Sequence, residues 1–204
     1  MKETLRDKQK RVGRDLILQA AADEVVEGGL ETLSLQGVAN RAGVSKRTLY
    51  NYFDSRETLL AELRRKSDDL TLEMGGTLTP GSLDTMSTMI PSLWRIWHAQ
   101  GTIHQAAMKI EAASSEVRDS TDRKRRRAAL ELAVLNLRPD LDTRQSEELA
   151  ALVHSLAGAS VYRRLTEIDG FSVDAAANLV AWTLAILHNA LANGDDPYTS
   201  KEQR

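Results

Sequence analysis

No cysteine occurs in the 204 residues, so neither a disulfide framework nor a thiolate metal site is available, and nothing speaks against a reducing cytoplasm. Aromatic residues make up only 4% and proline appears four times. With hydrophobic residues at 42% and alanine and leucine abundant, that scarcity favours an all-helical chain. Strand-like alternation and internal repeats are missing. The N-terminus carries charge without the apolar core of a signal peptide, and no apolar run is long enough to cross a bilayer, so a cytoplasmic protein without a membrane part is expected. The chain shows no phosphate-cradling glycine loop, no serine nucleophile elbow and no carboxylate or histidine cluster at catalytic spacing, which argues against an enzyme. The four histidines (His98, His104, His154, His188) lack the spacing of a zinc site. No catalytic residue, metal or cofactor is expected.

What is present centres on residues 34–60, SLQGVANRAGVSKRTLYNYFDSRETLL. Ser34 is a good helix cap, and Leu33 can staple to Val38 one turn on. Leu35, Val38, Ala39 and Ala42 share an apolar face. Gly43 follows where a helix ending in a left-handed residue wants glycine, and Ser45 caps a second helix in which Val44 and Leu49 repeat the staple spacing. Two capped helices joined by a tight glycine turn make a helix-turn-helix. The second helix opens with Ser45, Lys46, Arg47 and Thr48, all polar or basic, while Leu49 and Phe53 are free for a core. A helix start with free amides and two cations attracts phosphates and guanine edges, and Tyr50 and Tyr52 add hydroxyls for phosphate oxygens.

The net charge of −2 hides a local excess of four positive charges in residues 1–14, where Lys2, Arg6, Lys8, Lys10, Arg11 and Arg14 face only Glu3 and Asp7. Such a basic arm suits DNA, and a solvated tail has the same composition. A first helix is expected from about Lys10 to Glu27, ended by Gly28 and Gly29, and a long fourth from the Asp54–Glu57 run to Gly75 and Gly76. Thr77 to Gly81 is the expected boundary. Beyond it, Leu83, Met86, Ile90, Leu93, Trp94 and Trp97 keep helical spacing, with Pro91 expected to kink or split the helix near Ile90. Further helices fit Thr102 to about Ser115, Val117 to Leu137, Thr143 to about Glu167, and Ser172 to about Ala192. The five basic residues Arg123 to Arg127 point all round a helix and fit a solvated, salt-bridged surface.

The segment Arg14 to Leu60 resembles the DNA-binding domain of the TetR family of transcriptional regulators. The likeness rests on Arg14 with Ile17, Leu18, Ala20 and Ala21, on Gly29, on Leu33, Ser34, Leu35, Val38 and Ala39, and on Ala42, Gly43, Val44 and Ser45. It continues through Thr48, Leu49, Tyr50, Tyr52, Phe53, Ser55, Glu57, Leu59 and Leu60. Three positions depart from it: Val25 and Val26 stand where an aromatic is usual, Gly37 weakens the second helix, and Arg56 replaces a commoner lysine. The resemblance implies about nine helices, with a three-helix DNA-binding helix-turn-helix domain in residues 1–56 (basic arm 1–14) and a helical effector-binding and dimerisation domain in residues 57–204. It implies Gln36, Lys46 and Arg47 as base readers beside the Ser45 cap, and Thr48, Tyr50, Tyr52 and Arg56 as phosphate contacts.

The last two helices are apolar over more than one face, as a helix must be if it packs inward and against a partner. Leu149, Leu152, Val153 and Leu156, with Leu179, Thr183, Ile186, Leu187 and Ala190, carry those faces. In the family this pair forms a four-helix bundle with a second copy, and a homodimer on a near-palindromic operator doubles the bases read. Trp94, Trp97, His98, His104, Met108 and Tyr162 have the bulk and polar tips of a small-molecule pocket. The resemblance implies an effector, unidentified, and a repressor that it releases, with movement passed along the fourth helix. A helical ligand-sensing or scaffold protein that no longer binds DNA is the alternative.

Overall fold

The computed structural model describes residues 4–76, 81–113 and 121–198, with the backbone alone at 121–123. The described residues are mostly helical, and none forms a strand. The helices are α1 (Leu5–Gly28), α2 (Leu35–Arg41), α3 (Lys46–Tyr50), α4 (Arg56–Glu73), α5 (Leu83–Gln100), α6 (Thr102–Ala113), α7 (Thr121–Leu137), α8 (Thr143–Ala157), α9 (Ala159–Arg163, continued by a π turn at Arg164–Ile168) and α10 (Val173–Ala192). Counting α8 and α9 as one helix broken at Gly158 gives nine among the described residues.

Several boundaries differ from those read in the sequence. The first helix begins at Leu5 and not near Lys10, so residues 5–14 of the basic arm are the opening turns of α1. Thr4 and Asp7 form a capping box, each side chain bonded to the other's backbone N–H at 3.2 Å, a signal that the density of charge had masked. α5 runs through Pro91 without a break, so the expected split does not occur. The helix expected over 143–167 is interrupted at Gly158 and ends in the π turn. The expected linker, Gly81 apart, lies outside the described residues, as do Lys2 and Glu3 of the basic segment.

The chain forms two compact units. The first comprises Met1–Leu70 and Gln100–Arg118, so it holds the expected DNA-binding segment together with most of α4 and all of α6. Its core joins Ile17, Ala21 and Val25 of α1, Val38 and Ala39 of α2, Leu49 of α3, Phe53 of the turn that follows, and Leu59 and Leu63 of α4 with Ile103, Ala106 and Ile110 of α6. Each large side chain so buried contributes roughly 1.5–3 kcal/mol. Polar contacts pin α6 to α1 as well. Thr102 donates to Asp23 and accepts from Gln19, both at 2.7 Å, and Lys109 donates to the carbonyls of Val25 and Val26 at 3.4 and 2.8 Å, closing the C-terminal end of α1.

The second unit comprises Thr71–Ala99 and Asp119–Arg204. Trp94, Ile90, Leu130, Val134, Ala150, Val153, Ala176 and Leu191 are among its buried residues. Here α10 corrects the membrane expectation: its 20 residues, with mean hydropathy 1.4 over the best window, are long and apolar enough to cross a bilayer by length and composition. Only 28% of that window is buried within the chain, so an apolar helix is left with a largely uncovered surface.

Candidate nucleic-acid interface

The helix-turn-helix forms as its caps dictate. Ser34 accepts the Gly37 amide at 3.0 Å, and Ser45 accepts the Thr48 amide at 3.0 Å. Between the two helices Gly43 takes φ +67, the left-handed conformation that side chains resist. The Val44 amide bonds the Ala39 carbonyl at 3.0 Å and the Gly43 amide bonds Asn40 at 3.1 Å, the paired bonds of a Schellman turn. Gly37, weak as a helix former, has a reason here: a Cβ at that position would stand 3.1 Å from the Ser34 hydroxyl and 3.2 Å from the Glu24 carboxylate.

That carboxylate belongs to a buttress absent from the sequence reading. The Arg41 guanidinium at the end of α2 bonds Glu24 at 3.0 Å and Glu27 at 2.8 Å, both on α1. The contact holds the Glu27 carboxyl below the ordinary carboxylate range. A second clamp sets α4, where Arg14 lies 4.9 Å over the Phe53 ring and pairs with Glu62 at 2.8 Å, while Lys66 pairs with Asp15 at 3.1 Å. With Leu49 and Phe53 fully buried beneath it, α3 has its inner face fixed and its opening turn outward.

The expected DNA-contacting residues all lie in this unit, and they divide into two groups. Gln36, Ser45, Lys46, Arg47 and Tyr50 are exposed. Lys46 sits 6.0 Å over the Tyr50 ring, Gln36 bonds Asn40 at 2.9 Å, and among the described residues Arg47 has no polar partner. The other three are engaged inward. The Thr48 hydroxyl lies 2.8 Å from that of Ser45, and the Tyr52 hydroxyl rests against α1 at Gly13. The Arg56 guanidinium donates to the Leu30 carbonyl and ties the turn after α1 to the start of α4.

Residues 17–63 match the family model of bacterial regulatory proteins of the tetR family. The helix-turn-helix segment is thus similar to the DNA-binding domain of TetR-family regulators. No curated protein sequence matches the chain. Solved structures extend the likeness of fold to the rest of the chain. A TetR-like regulator from Rhodococcus sp. RHA1 is 20% identical with a TM-score of 0.64, covering 88% of this chain and 96% of its own. A TetR-family regulator from Bordetella parapertussis 12822 is 22% identical with a TM-score of 0.61, covering 84% and 93%. A gamma-butyrolactone receptor described as ArpA-like is 21% identical with a TM-score of 0.57, covering 87% and 99%.

The fold does not gather the six expected pocket residues. Trp94, Trp97, His98 and Tyr162 cluster in the second unit: the Tyr162 ring meets Trp94 edge-on at 5.3 Å and Trp97 at 5.9 Å, and its hydroxyl lies 3.3 Å from His98 Nδ1. Beside them Arg95, His98, Thr166, Phe171, Ser172, Val173 and Asp174 line an open cleft of about 450 Å³. His104 and Met108 instead belong to α6 and the first unit, where buried His104 lies 3.1 Å from the Ser67 hydroxyl of α4. Burial pushes the His104 imidazole down to about 3, so it is neutral at ordinary pH. Among the described residues no cluster suited to a metal ion occurs.

The expected dimer residues also divide. Leu149 and Val153 are buried in the chain's own core and leave no surface for a partner. Leu152, Leu179 and Ile186 are exposed, while Leu156, Thr183, Leu187 and Ala190 are half-buried. Trp182, missed in the sequence, is 64% exposed and lies on the same face of α10 as Leu179 and Ile186, one turn from each. Its spacing, three after Leu179 and four before Ile186, is the sequence signal that places it on their face.

Proposed function

We propose that this protein is a homodimeric repressor that binds a near-palindromic operator and leaves it when a small-molecule effector binds. The observation that carries the DNA reading is the outward first turn of α3, with Lys46 and Arg47 exposed above buried Leu49 and Phe53 and steadied by the Gly43 turn. In this arrangement Lys46, Arg47 and Gln36 read base edges in the major groove, and Tyr50 bonds a phosphate. Thr48, Tyr52 and Arg56, whose polar atoms already face the chain, add phosphate contacts only with donors left over from those bonds. TetR-family regulators are not enzymes, and their task is carried out in the compartment that holds DNA.

Homodimerisation is supported by the exposed apolar face of α10 formed by Leu179, Trp182 and Ile186, with Leu152 of α8 exposed as well. A single reading turn contacts too few bases for an operator, and a two-fold pair supplies two half-sites about one helical turn apart. The effector reading is supported by the open cleft of about 450 Å³, where Phe171 and Val173 give an apolar floor and Arg95, His98, Thr166 and Asp174 give polar groups to orient a small molecule. The gamma-butyrolactone receptor of similar fold gives one ligand class to try.

Selection from random duplex DNA with purified protein, followed by anisotropy titration across salt concentrations, tests the operator. A two-fold symmetric site with steep salt dependence is expected, and Arg47→Ala is expected to lose roughly 1–3 kcal/mol and relax discrimination at one base. Weak, sequence-blind binding would overturn it.

A further inference from the structure

We propose that Arg138, Asp196 and Tyr198 form a clasp that holds α8 and α10 in register, so that the face they present to a second copy is set before docking. The proposal rests on the homodimer reading and adds residues outside the interface that shape it.

After Ala192 the chain reverses. Gly194 takes φ +82, its amide bonds the Leu191 carbonyl at 3.0 Å, and the Asp195 amide bonds Ala190 at 2.8 Å. The reversal delivers Asp196 to Arg138, at the corner between α7 and α8. Arg138 Nη2 donates to Asp196 at 2.7 Å and to Asp140 at 2.7 Å, while Nε donates to the other Asp140 oxygen at 2.8 Å. This is no surface ion pair: the two side chains of the Arg138–Asp196 bond are only 10% and 2% exposed. Asp196 also accepts the Tyr198 amide at 2.8 Å. The Tyr198 hydroxyl then lies 3.2 Å from the Gln145 carbonyl and 3.0 Å from the Glu148 carboxylate, both in the opening turns of α8.

The tail of α10 is therefore fastened to the start of α8. At their other ends the same two helices are joined by the chain between 158 and 172. Tied at both ends, they cannot splay without breaking a buried charge pair, and Leu152 stays in fixed relation to Leu179, Trp182 and Ile186. A partner copy meets a preformed surface, and little of its binding free energy is spent on ordering that surface. Released at the clasp, the pair would have to be aligned during docking.

The test is sedimentation equilibrium from nanomolar to micromolar protein for the wild type, Asp196→Asn, Tyr198→Phe and Arg138→Lys, with circular dichroism and hydrogen exchange on each. Asp196→Asn is expected to weaken dimerisation about tenfold or more, corresponding to about 1.4 kcal/mol. Tyr198→Phe should act in the same direction by a smaller factor, and exchange should rise at residues 193–198. Arg138→Lys keeps the charge and loses the fork, so it should fall between them and the wild type. A folded Asp196→Asn variant with an unchanged dimer constant overturns the clasp. So does a lowered thermal midpoint with no change in dimerisation, which marks a purely stabilising contact. A wild type that is monomeric throughout overturns the homodimer reading, and the clasp with it.

Discussion

Replacing Gly43 with alanine isolates one physical quantity in the helix-turn-helix. A Cβ built on Gly43 meets no atom within 4 Å, so the substitution creates no clash and fills no cavity. What remains is the backbone: at φ +67 an L side chain crowds its own carbonyl, at roughly 1–2 kcal/mol. Asparagine tolerates the left-handed region better, so Gly43→Asn should lose less than Gly43→Ala. Urea denaturation, with hydrogen exchange at Leu49 and Phe53 as the local probe, should report that order. Operator affinity of the folded variants should change less than stability does, since the Schellman bonds from Val44 and Gly43 keep the start of α3 where it is. An alanine variant as stable as the wild type, or an asparagine variant less stable than the alanine one, would refute the turn as the source of the energy.

Three further outcomes follow from the structure. Lys109→Met should lower the stability of the first unit by roughly 1.5–3 kcal/mol, the worth of hydrogen bonds from a charged group, because the Val25 and Val26 carbonyls lose their donor; urea denaturation measures it. His104 has a folded pKa of about 3 against an unfolded 6.5, so its contribution is fully present above pH 6.5 and falls as acid protonates the unfolded chain first, by at most about 1.4 kcal/mol per pH unit; the slope of stability between pH 6.5 and 5 should flatten in His104→Gln. Trp182→Glu places a charge on a residue already 64% exposed, so sedimentation should show the monomer while circular dichroism stays that of the folded chain.

What could be read in advance was local. Ser34, Ser45 and Gly43 announce their caps and turn within a few residues, and the structure forms each of them. Arg41 could not be read the same way, because its partners Glu24 and Glu27 lie 17 and 14 residues earlier and meet it only when α2 packs on α1. The start of α1 is marked in the sequence by the Thr4 and Asp7 capping-box pair, which the run of basic residues around it obscures. Trp94, Trp97, His98, His104, Met108 and Tyr162 were grouped by chemical type, and type says nothing of which unit a helix joins. His104 and Met108 left the group when α6 packed on α1. On α8 and α10 the apolar spacing was plain, yet spacing does not say which edge turns inward: Leu149 and Val153 went to the core, and Leu152 and Trp182 stayed out.

The attachment of α6 also changes where an effector signal would enter the DNA-binding unit. The expected route was α4, which is continuous with that unit up to Leu70. α6 offers a second route, for Thr102 follows directly on α5 and is bonded to Asp23 and Gln19 at 2.7 Å each, while Lys109 caps α1 a further two turns along. A displacement at the start of α6 must either break those bonds or drag α1 with it. Allosteric coupling in proteins amounts to about 1–3 kcal/mol, and one hydrogen bond to a charged group is worth roughly 1.5–3 kcal/mol. Loss or gain of a single contact of the Asp23 or Lys109 kind is therefore enough to change operator occupancy, and the buried His104 to Ser67 contact keeps α4 and α6 from responding independently. On the proposed mechanism the reading turn of α3 is moved by the pair α4 and α6 acting on α1, and severing Thr102 from Asp23 by Thr102→Val should reduce the effector's influence on operator affinity while leaving apo affinity intact.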